Sequence, residues 1–211
     1  ASVIDSIGAW SRRQRHIPEF RFVNRYHDDP AYIAALAARV RRHWTVAGRS
    51  SHLLMSFHGV PQRTLELGDP YHCECLKTAR LLALALGLDA AHWSVSFQSR
   101  FGRAKWVEPS TEGTLARLAT SGVRSVDVVC PGFMCDCLET LEEIAIEGRE
   151  LFLAHGGQVY TYIECLNDGP EAQAFLLDLA DRHLVGWATD RTSEATDSAQ
   201  RERALAAGAA D

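Results

Sequence analysis

The sequence contains no apolar run near the roughly 20 residues that a membrane-spanning helix requires, and its opening ASVIDSIGAW lacks the basic and apolar regions of a secretion signal. Basic residues are not in excess either, because 22 Lys and Arg stand against 27 Asp and Glu and give a formal net charge of −5. Binding of nucleic acid through its phosphates is therefore not expected. These features predict a cytoplasmic protein without a transmembrane span, and they leave peripheral contact with a membrane surface open.

Cysteine is too sparse for a scaffold held by disulfides, since the 211 residues contain only 6. Two C-x-C pairs, Cys73 with Cys75 and Cys135 with Cys137, favour a metal or redox site instead. Neither pair has the C-x₂-C spacing of a zinc ribbon, so zinc is disfavoured. Free thiols in a reducing cytosol explain the same cysteine count.

Apolar strand patterns and amphipathic helix patterns alternate along the chain. A hydrophobic fraction of 46% and a charged fraction of 23% are typical of one compact domain. Four short apolar runs, LLMSF, WSVSF, SVDVV and VYTYIE, are each followed by a helical pattern. Such repeated units with right-handed crossovers predict a three-layer α/β sandwich around a four-stranded parallel sheet.

Local signals predict where some of these elements begin and end. Asp28 or Asp29 can cap a helix whose first turn holds Pro30, and the GDP segment, with Asp69, opens a second helix. Gly87 is the predicted end of that second helix. From about residue 189 the chain is poor in large apolar groups, which predicts a disordered or marginally helical tail over residues 189–211.

Reactive side chains follow the predicted strands, at the sheet edge where ligands bind in open parallel sheets. His58 follows the first strand in SFHGVP, where Gly59 and Pro61 fix a tight turn. A neutral imidazole there could accept a proton or bind a metal. A histidine that only holds the end of the strand is the alternative.

Three glutamates after the third strand, Glu139, Glu143 and Glu147, are spaced by four residues. An α-helix would place them on one side with a drift of about 40° per step. If this row faces a cleft, repulsion and desolvation would raise the carboxylate pKa values and provide a path for protons or cations. A solvated helix face is the alternative interpretation.

Five cysteines are expected near one rim of the sheet, namely Cys73, Cys75, Cys135, Cys137 and Cys165. Each lies just beyond a strand or near the start of a helix, and four thiolates suffice to hold an iron–sulfur cluster. The remaining one, Cys130, ends an apolar strand and is expected in the core.

Five separated motifs resemble those of the ferrochelatase family, which inserts ferrous iron into a porphyrin at the end of heme synthesis. In chain order they are SFHGVP, GDPYHC, SVSFQSRFGRAKWVEPSTEGTL, VDVVCPGF and CLETLEEIAIE. The resemblance extends to about residue 185. It implies a chelatase-like α/β fold in which residues 1–45 are a connector with the first helix and residues 46–188 are the second, C-terminal lobe. The family's first lobe would then be a further partner.

The resemblance also implies residue roles. His58 and Glu139 would face one another across the porphyrin cleft as the catalytic pair, each as proton acceptor or metal ligand. Glu143 and Glu147 would continue the metal-binding row from a helix start that is widened into a π-turn. Gln98, Ser99 and Trp106 would bind substrate beside the cleft, and these three assignments rest on the resemblance alone.

The expected function is that of a ferrochelatase, or its C-terminal half, which inserts Fe²⁺ into protoporphyrin IX, with coproporphyrin III as the variant substrate. Because some family members carry a [2Fe-2S] cluster, the extra cysteines Cys73, Cys135 and Cys165 make such a cluster a second expectation. The alternatives are a non-catalytic module that binds a tetrapyrrole or iron, and an iron–sulfur redox sensor.

Overall fold

The sheet of the computed structural model, which describes residues 2–187 and 194–209, has four strands. They are β1 (His52–His58), β2 (Trp93–Gln98), β3 (Ser125–Val129) and β4 (Val159–Ile163), in the order β2-β1-β3-β4. All neighbouring strands are parallel. The α/β class and the parallel sheet predicted from the four apolar runs are confirmed.

The helices fall between and around the strands. They are α1 (Ser2–Ser11), α2 (Pro30–Ala47), α3 (Gln62–Glu66), α4 (Tyr71–Leu86), α5 (Thr111–Thr120), α6 (Leu138–Thr140), α7 (Gly148–Ala154), α8 (Pro170–Leu184) and α9 (Glu194–Ala206). A 3₁₀ turn covers Ala90–His92, and a π-helical segment, Leu141–Glu147, connects α6 to α7. Within the described residues, no helix has the length and apolar character needed to cross a membrane.

The chain divides into two units. One ends at Asp178 and holds the whole sheet, and the other begins at Leu179 and holds the end of α8 and all of α9. Part of the predicted tail is therefore helical, whereas residues 188–193 lie outside the described residues. Helices α1 and α3 were not predicted, because the opening segment lacks clear hydrophobic periodicity and α3 is only 5 residues long.

The predicted helix signals act as expected. The Asp29 carboxylate accepts a hydrogen bond from the backbone N–H of Ala31 at 2.9 Å, directly before Pro30 begins α2. Gly87 ends α4 with a φ of 66°, in the left-handed region that glycine adopts without strain.

Both faces of the sheet are covered by helices, with α2 and α4 packed together on one face and α5 and α7 on the other. Successive residues of a strand point to opposite faces. Leu54 and Val128 therefore pack in the cluster that contains Leu115 of α5, whereas Leu53 and Met55 point to the opposite face. Burial on both faces explains why β1 reads as one apolar run with six of its seven residues buried.

The face toward α5 changes from apolar to polar along β1. Leu54 is followed on the same face by Ser56 and then by His58. The parallel register pairs Ser56 with Ser96 and His58 with Gln98 on β2. Polar side chains therefore collect at the carboxyl ends of these two strands.

A carboxylate network ties the loop before α6 to the loop after β4. Asp136 Oδ1 accepts hydrogen bonds from the Tyr162 hydroxyl at 2.5 Å and the Thr140 hydroxyl at 3.2 Å. Its Oδ2 accepts a hydrogen bond from the Asn167 amide at 2.7 Å, and the Asp136 N–H donates back to Asn167 Oδ1 at 2.8 Å. Burial alone would raise the Asp136 pKa, but the hydrogen bonds from Tyr162, Asn167 and Cys165 hold it below its usual value.

Replacing Asp136 with Asn should lower the free energy of unfolding at pH 7 by about 1 to 2 kcal/mol, after allowance for partial exposure of the carboxylate. The pKa of Asp136 is lower in the folded state than in the unfolded state, where it is about 3.9. The charged carboxylate therefore stabilises the fold above about pH 3.9, and this stabilisation is lost as the pH falls through the pKa of the folded state. Urea unfolding should therefore separate parent and variant at pH 7 and bring them together below about pH 4. The control is Asp168→Asn, an exposed carboxylate in the loop after β4. Equal stability of Asp136→Asn and parent at pH 7 would contradict the network's role.

Candidate active site

A cavity of about 650 Å³ lies at the carboxyl ends of β1 and β2, against the start of α5 and the π-helical segment. Six of the predicted site residues line it together: His58, Gln98, Ser99, Glu139, Glu143 and Glu147. They come from three separate parts of the chain. The sheet topology therefore brings together the histidine and the acidic row, as the sequence predicted.

One nitrogen of the His58 ring is fixed by the backbone. Nδ1 lies 2.6 Å from the carbonyl oxygen of Gly59. A carbonyl oxygen can only accept a hydrogen bond, so Nδ1 carries the hydrogen of the neutral ring. The lone pair of the imidazole is then on Nε2, which is free to accept a proton or to bind a metal ion.

The turn after His58 requires glycine because of close packing. A Cβ at position 59 would lie 2.7 Å from the Gln98 carbonyl oxygen and 3.2 Å from the Trp106 ring. The Gly59 N–H donates to that same Gln98 carbonyl at 2.8 Å. This contact between the ends of β1 and β2 fixes the backbone that carries His58.

The acidic row lies on a helix of unusual winding. In an α-helix, residues four apart drift by about 40° around the axis, whereas Leu141–Glu147, which contains Glu143 and Glu147, is wound as a wider π-helix. The Tyr160 hydroxyl supports this segment by donating to the Ile144 carbonyl at 2.5 Å. Gly148 follows, where a Cβ would lie 2.7 Å from the Tyr160 hydroxyl. The π-turn implied by the family resemblance is confirmed.

Glu139 is held in its anionic form. A hydrogen bond from the Cys137 thiol, followed by one from its own backbone N–H, lowers the pKa of the Glu139 carboxyl against a smaller opposing effect of burial. Burial, with a smaller effect of the hydrogen bond to Glu139, raises the pKa of Cys137. At neutral pH the pair is therefore a carboxylate and a neutral thiol.

The three residues expected to bind substrate occupy different environments. The Ser99 hydroxyl donates to Glu143 Oε2 at 2.8 Å, and the Gln98 amide donates to the Glu139 backbone carbonyl at 2.7 Å. Trp106 is buried against the loop that follows β2, where its indole N–H donates to the Phe101 carbonyl at 3.0 Å. The tryptophan therefore supports this loop, and it is not among the residues that line the cavity; its role in substrate binding stays a prediction.

Sequence reasoning missed further lining residues at the start of α5, including Thr111 and Glu112. It also missed Phe101, which is 73% exposed at the cavity. Helix α5 follows β2 in the same strand–helix unit, so its first turn lies at the same sheet edge. That position was the signal that could have identified Thr111 and Glu112.

The cysteines do not form a common site. No group of three or more His, Cys, Asp or Glu side chains is placed to hold a metal ion anywhere in residues 2–187 and 194–209. Burial raises the pKa of both Cys75 and Cys165 to about 12, so both are neutral thiols, while Cys73 and Cys135 are exposed. The geometry expected for a [2Fe-2S] cluster is therefore not present, because four thiolates would have to converge. Cys130 is buried in the core, as expected.

Comparison with known proteins agrees with this geometry. The family model described as Ferrochelatase matches residues 1–184. The ferrochelatase of Polaromonas sp. strain JS666 is 61% identical over 211 residues, which are 99% of this chain and 57% of that protein. The ferrochelatase of Methylibium petroleiphilum is 58% identical over 210 residues, which are 99% of this chain and 58% of that protein.

The chain thus spans a little over half the length of these curated relatives. The ferrochelatase of Azoarcus sp. strain BH72 is also 54% identical over 212 residues, which are 100% of this chain and 58% of that protein. The five motifs, the cavity lined by residues of three of them and the match of the family model together give one conclusion: the chain belongs to the ferrochelatase family.

Proposed function

We propose that this chain carries the metal-insertion site of a ferrochelatase that inserts Fe²⁺ into protoporphyrin IX. The main support for this proposal is that one cavity is lined by His58, Glu139, Glu143 and Glu147 together. Family membership supports the same chemistry. We further propose that residues 46–188 are the family's C-terminal lobe, that residues 1–45 are its connector, and that the protein is cytoplasmic.

The reaction requires proton acceptors and no redox step. One porphyrin gives up its two pyrrole N–H protons and takes up one Fe²⁺, which yields the metalloporphyrin and two protons. His58 Nε2 is the proposed acceptor of a pyrrole proton, because Nδ1 is held by the Gly59 carbonyl. Glu139 is the proposed iron ligand, because its side chain lines the same cavity as His58 and is a carboxylate at neutral pH.

The acidic row provides a route for the metal. Glu147 is exposed, while Glu143 and Glu139 are half-buried, so the carboxylates lead from solvent into the cavity. The described residues form no preassembled site with three ligands. Weak binding suits a protein that transfers Fe²⁺ to the porphyrin, because a site that bound the ion tightly would retain it.

Two sequence-based expectations are not part of the proposal. The described side chains do not fit a [2Fe-2S] cluster, so no step involves one and a redox sensor is disfavoured. A separate first lobe as a partner is not supported by the comparisons. Peripheral membrane contact stays a prediction.

Replacing His58 with Ala should reduce iron insertion by about 10²- to 10⁴-fold, the usual effect of losing a general base. Insertion is measured anaerobically from the absorbance change as Fe²⁺ enters protoporphyrin IX. The matched control is His155→Ala, an exposed histidine outside the cavity, which should leave the rate unchanged. A parent chain that binds the porphyrin but inserts no iron would contradict the proposed activity and favour the non-catalytic module.

Replacing Glu139 with Gln should raise the KM for Fe²⁺ by about tenfold or more, because the amide keeps the shape of the side chain but loses its charge. The KM for protoporphyrin IX should change little. Glu142→Gln, an exposed neighbour that does not line the cavity, is the control. An unchanged KM for iron in Glu139→Gln would argue against the assignment of Glu139 as iron ligand.

A further inference from the structure

Four buried polar side chains lie together at the cavity, and two of them, Gln98 and Thr111, are part of its lining. Ser56 and Ser96 have no exposed surface, and Gln98 and Thr111 are each 4% exposed. Burying a polar group is unfavourable unless it is hydrogen-bonded. A cluster of four is therefore stable only if its members are hydrogen-bonded to one another or to the backbone.

These side chains form a continuous chain of hydrogen bonds. The Thr111 hydroxyl donates to Ser96 Oγ at 2.9 Å and lies 2.8 Å from Ser56 Oγ. The Ser56 hydroxyl donates to Gln98 Oε1 at 2.8 Å, and the chain ends where Gln98 Nε2 donates to the Glu139 carbonyl at 2.7 Å.

The partners of Gln98 determine which way its amide points. Gln98 Oε1 accepts a hydrogen bond from the Ser56 hydroxyl and another, at 3.6 Å, from the Cys130 thiol. The Glu139 carbonyl can only accept, so Nε2 must face it. Both ends of the Gln98 amide are thus hydrogen-bonded within the protein, which fixes the side chain between β1 and the Glu139 backbone.

Ser99 completes the contact with the acidic row. Its φ of 59° is in the left-handed region, which is unfavourable for a residue other than glycine and is often found at functional sites. In an extended strand, neighbouring side chains point to opposite faces. The left-handed turn at Ser99 instead lets its hydroxyl reach Glu143 while Gln98 reaches Glu139.

We propose that Gln98 and Ser99 are positioning residues that fix the spacing between Glu139 and Glu143, and that Ser56 and Thr111 hold Gln98 in place. This inference rests on the proposed function for the use of that spacing. A displacement of about 1 Å near reacting groups can cost 10²-fold in rate. Gln98, at the end of β2, and Ser99, directly after it, therefore set the geometry of the Glu139 and Glu143 carboxylates.

The main test is Gln98→Met, which keeps nearly the same volume but removes the donor to Glu139. In this chain without substrate, hydrogen–deuterium exchange over residues 138–147 should become faster by about tenfold, since a tenfold change corresponds to about 1.4 kcal/mol for one lost hydrogen bond. In turnover, kcat/KM for Fe²⁺ should fall about 10- to 100-fold while the KM for protoporphyrin IX stays constant. Ser99→Ala should act in the same direction.

The matched control is Thr114→Val in α5. Its hydroxyl is buried and has no hydrogen-bond partner among the described residues, so its loss should change neither exchange nor kinetics. If Gln98→Met does not fold, Ser56→Ala tests the same chain with a smaller change, and faster exchange over residues 138–147 is again expected.

The outcomes separate this inference from the proposed function. A parent chain without turnover contradicts the proposed function, and the exchange measurement still decides whether Gln98 positions Glu139. Parent-like exchange over residues 138–147 in Gln98→Met and Ser56→Ala would overturn the inference. A rise only in the KM for protoporphyrin IX would also overturn it, because that result is expected of a residue that binds substrate.

Discussion

The parallel register of β1 with β2 is the constraint on which the site depends. It pairs His58 with Gln98 at the carboxyl ends of the two strands, and the Gly59 N–H closes the contact on the Gln98 carbonyl at 2.8 Å. From this fixed edge the Gln98 side chain reaches the Glu139 carbonyl. The position of the histidine and that of the acidic row are therefore set by the same pair of strand ends.

Much of this arrangement could be predicted from the sequence. The four strands are apolar because both faces of the sheet are covered, and the βα order places the residues that follow them at one edge. That reasoning located His58 and the acidic row. It did not reveal the π-helical winding of Leu141–Glu147, because spacing by four residues is compatible with an α-helix as well. Nor did it reveal the contact between Gln98 and Glu139, which are 41 residues apart.

The cysteines show where the same reasoning fails. They lie near the predicted rim, but metal binding depends on where each side chain points. Cys75 is buried, and its thiol hydrogen-bonds with Tyr71 on the same helix, whereas Cys165 lies against Tyr162 and Asp136. Burial raises the pKa of both thiols, which opposes the thiolate form that a metal requires. The carboxyl of Glu139, by contrast, has a lowered pKa and is a carboxylate at neutral pH.

In the proposed function, iron binds in the cavity that contains His58 and the acidic row, and not at the cysteines. X-ray absorption spectroscopy of the chain loaded anaerobically with Fe²⁺ tests it most directly, because the first coordination shell distinguishes oxygen and nitrogen from sulfur. We expect a first shell of oxygen and nitrogen atoms around the iron, with fewer such atoms in the Glu139→Gln variant. A sulfur shell that persists in that variant would contradict it.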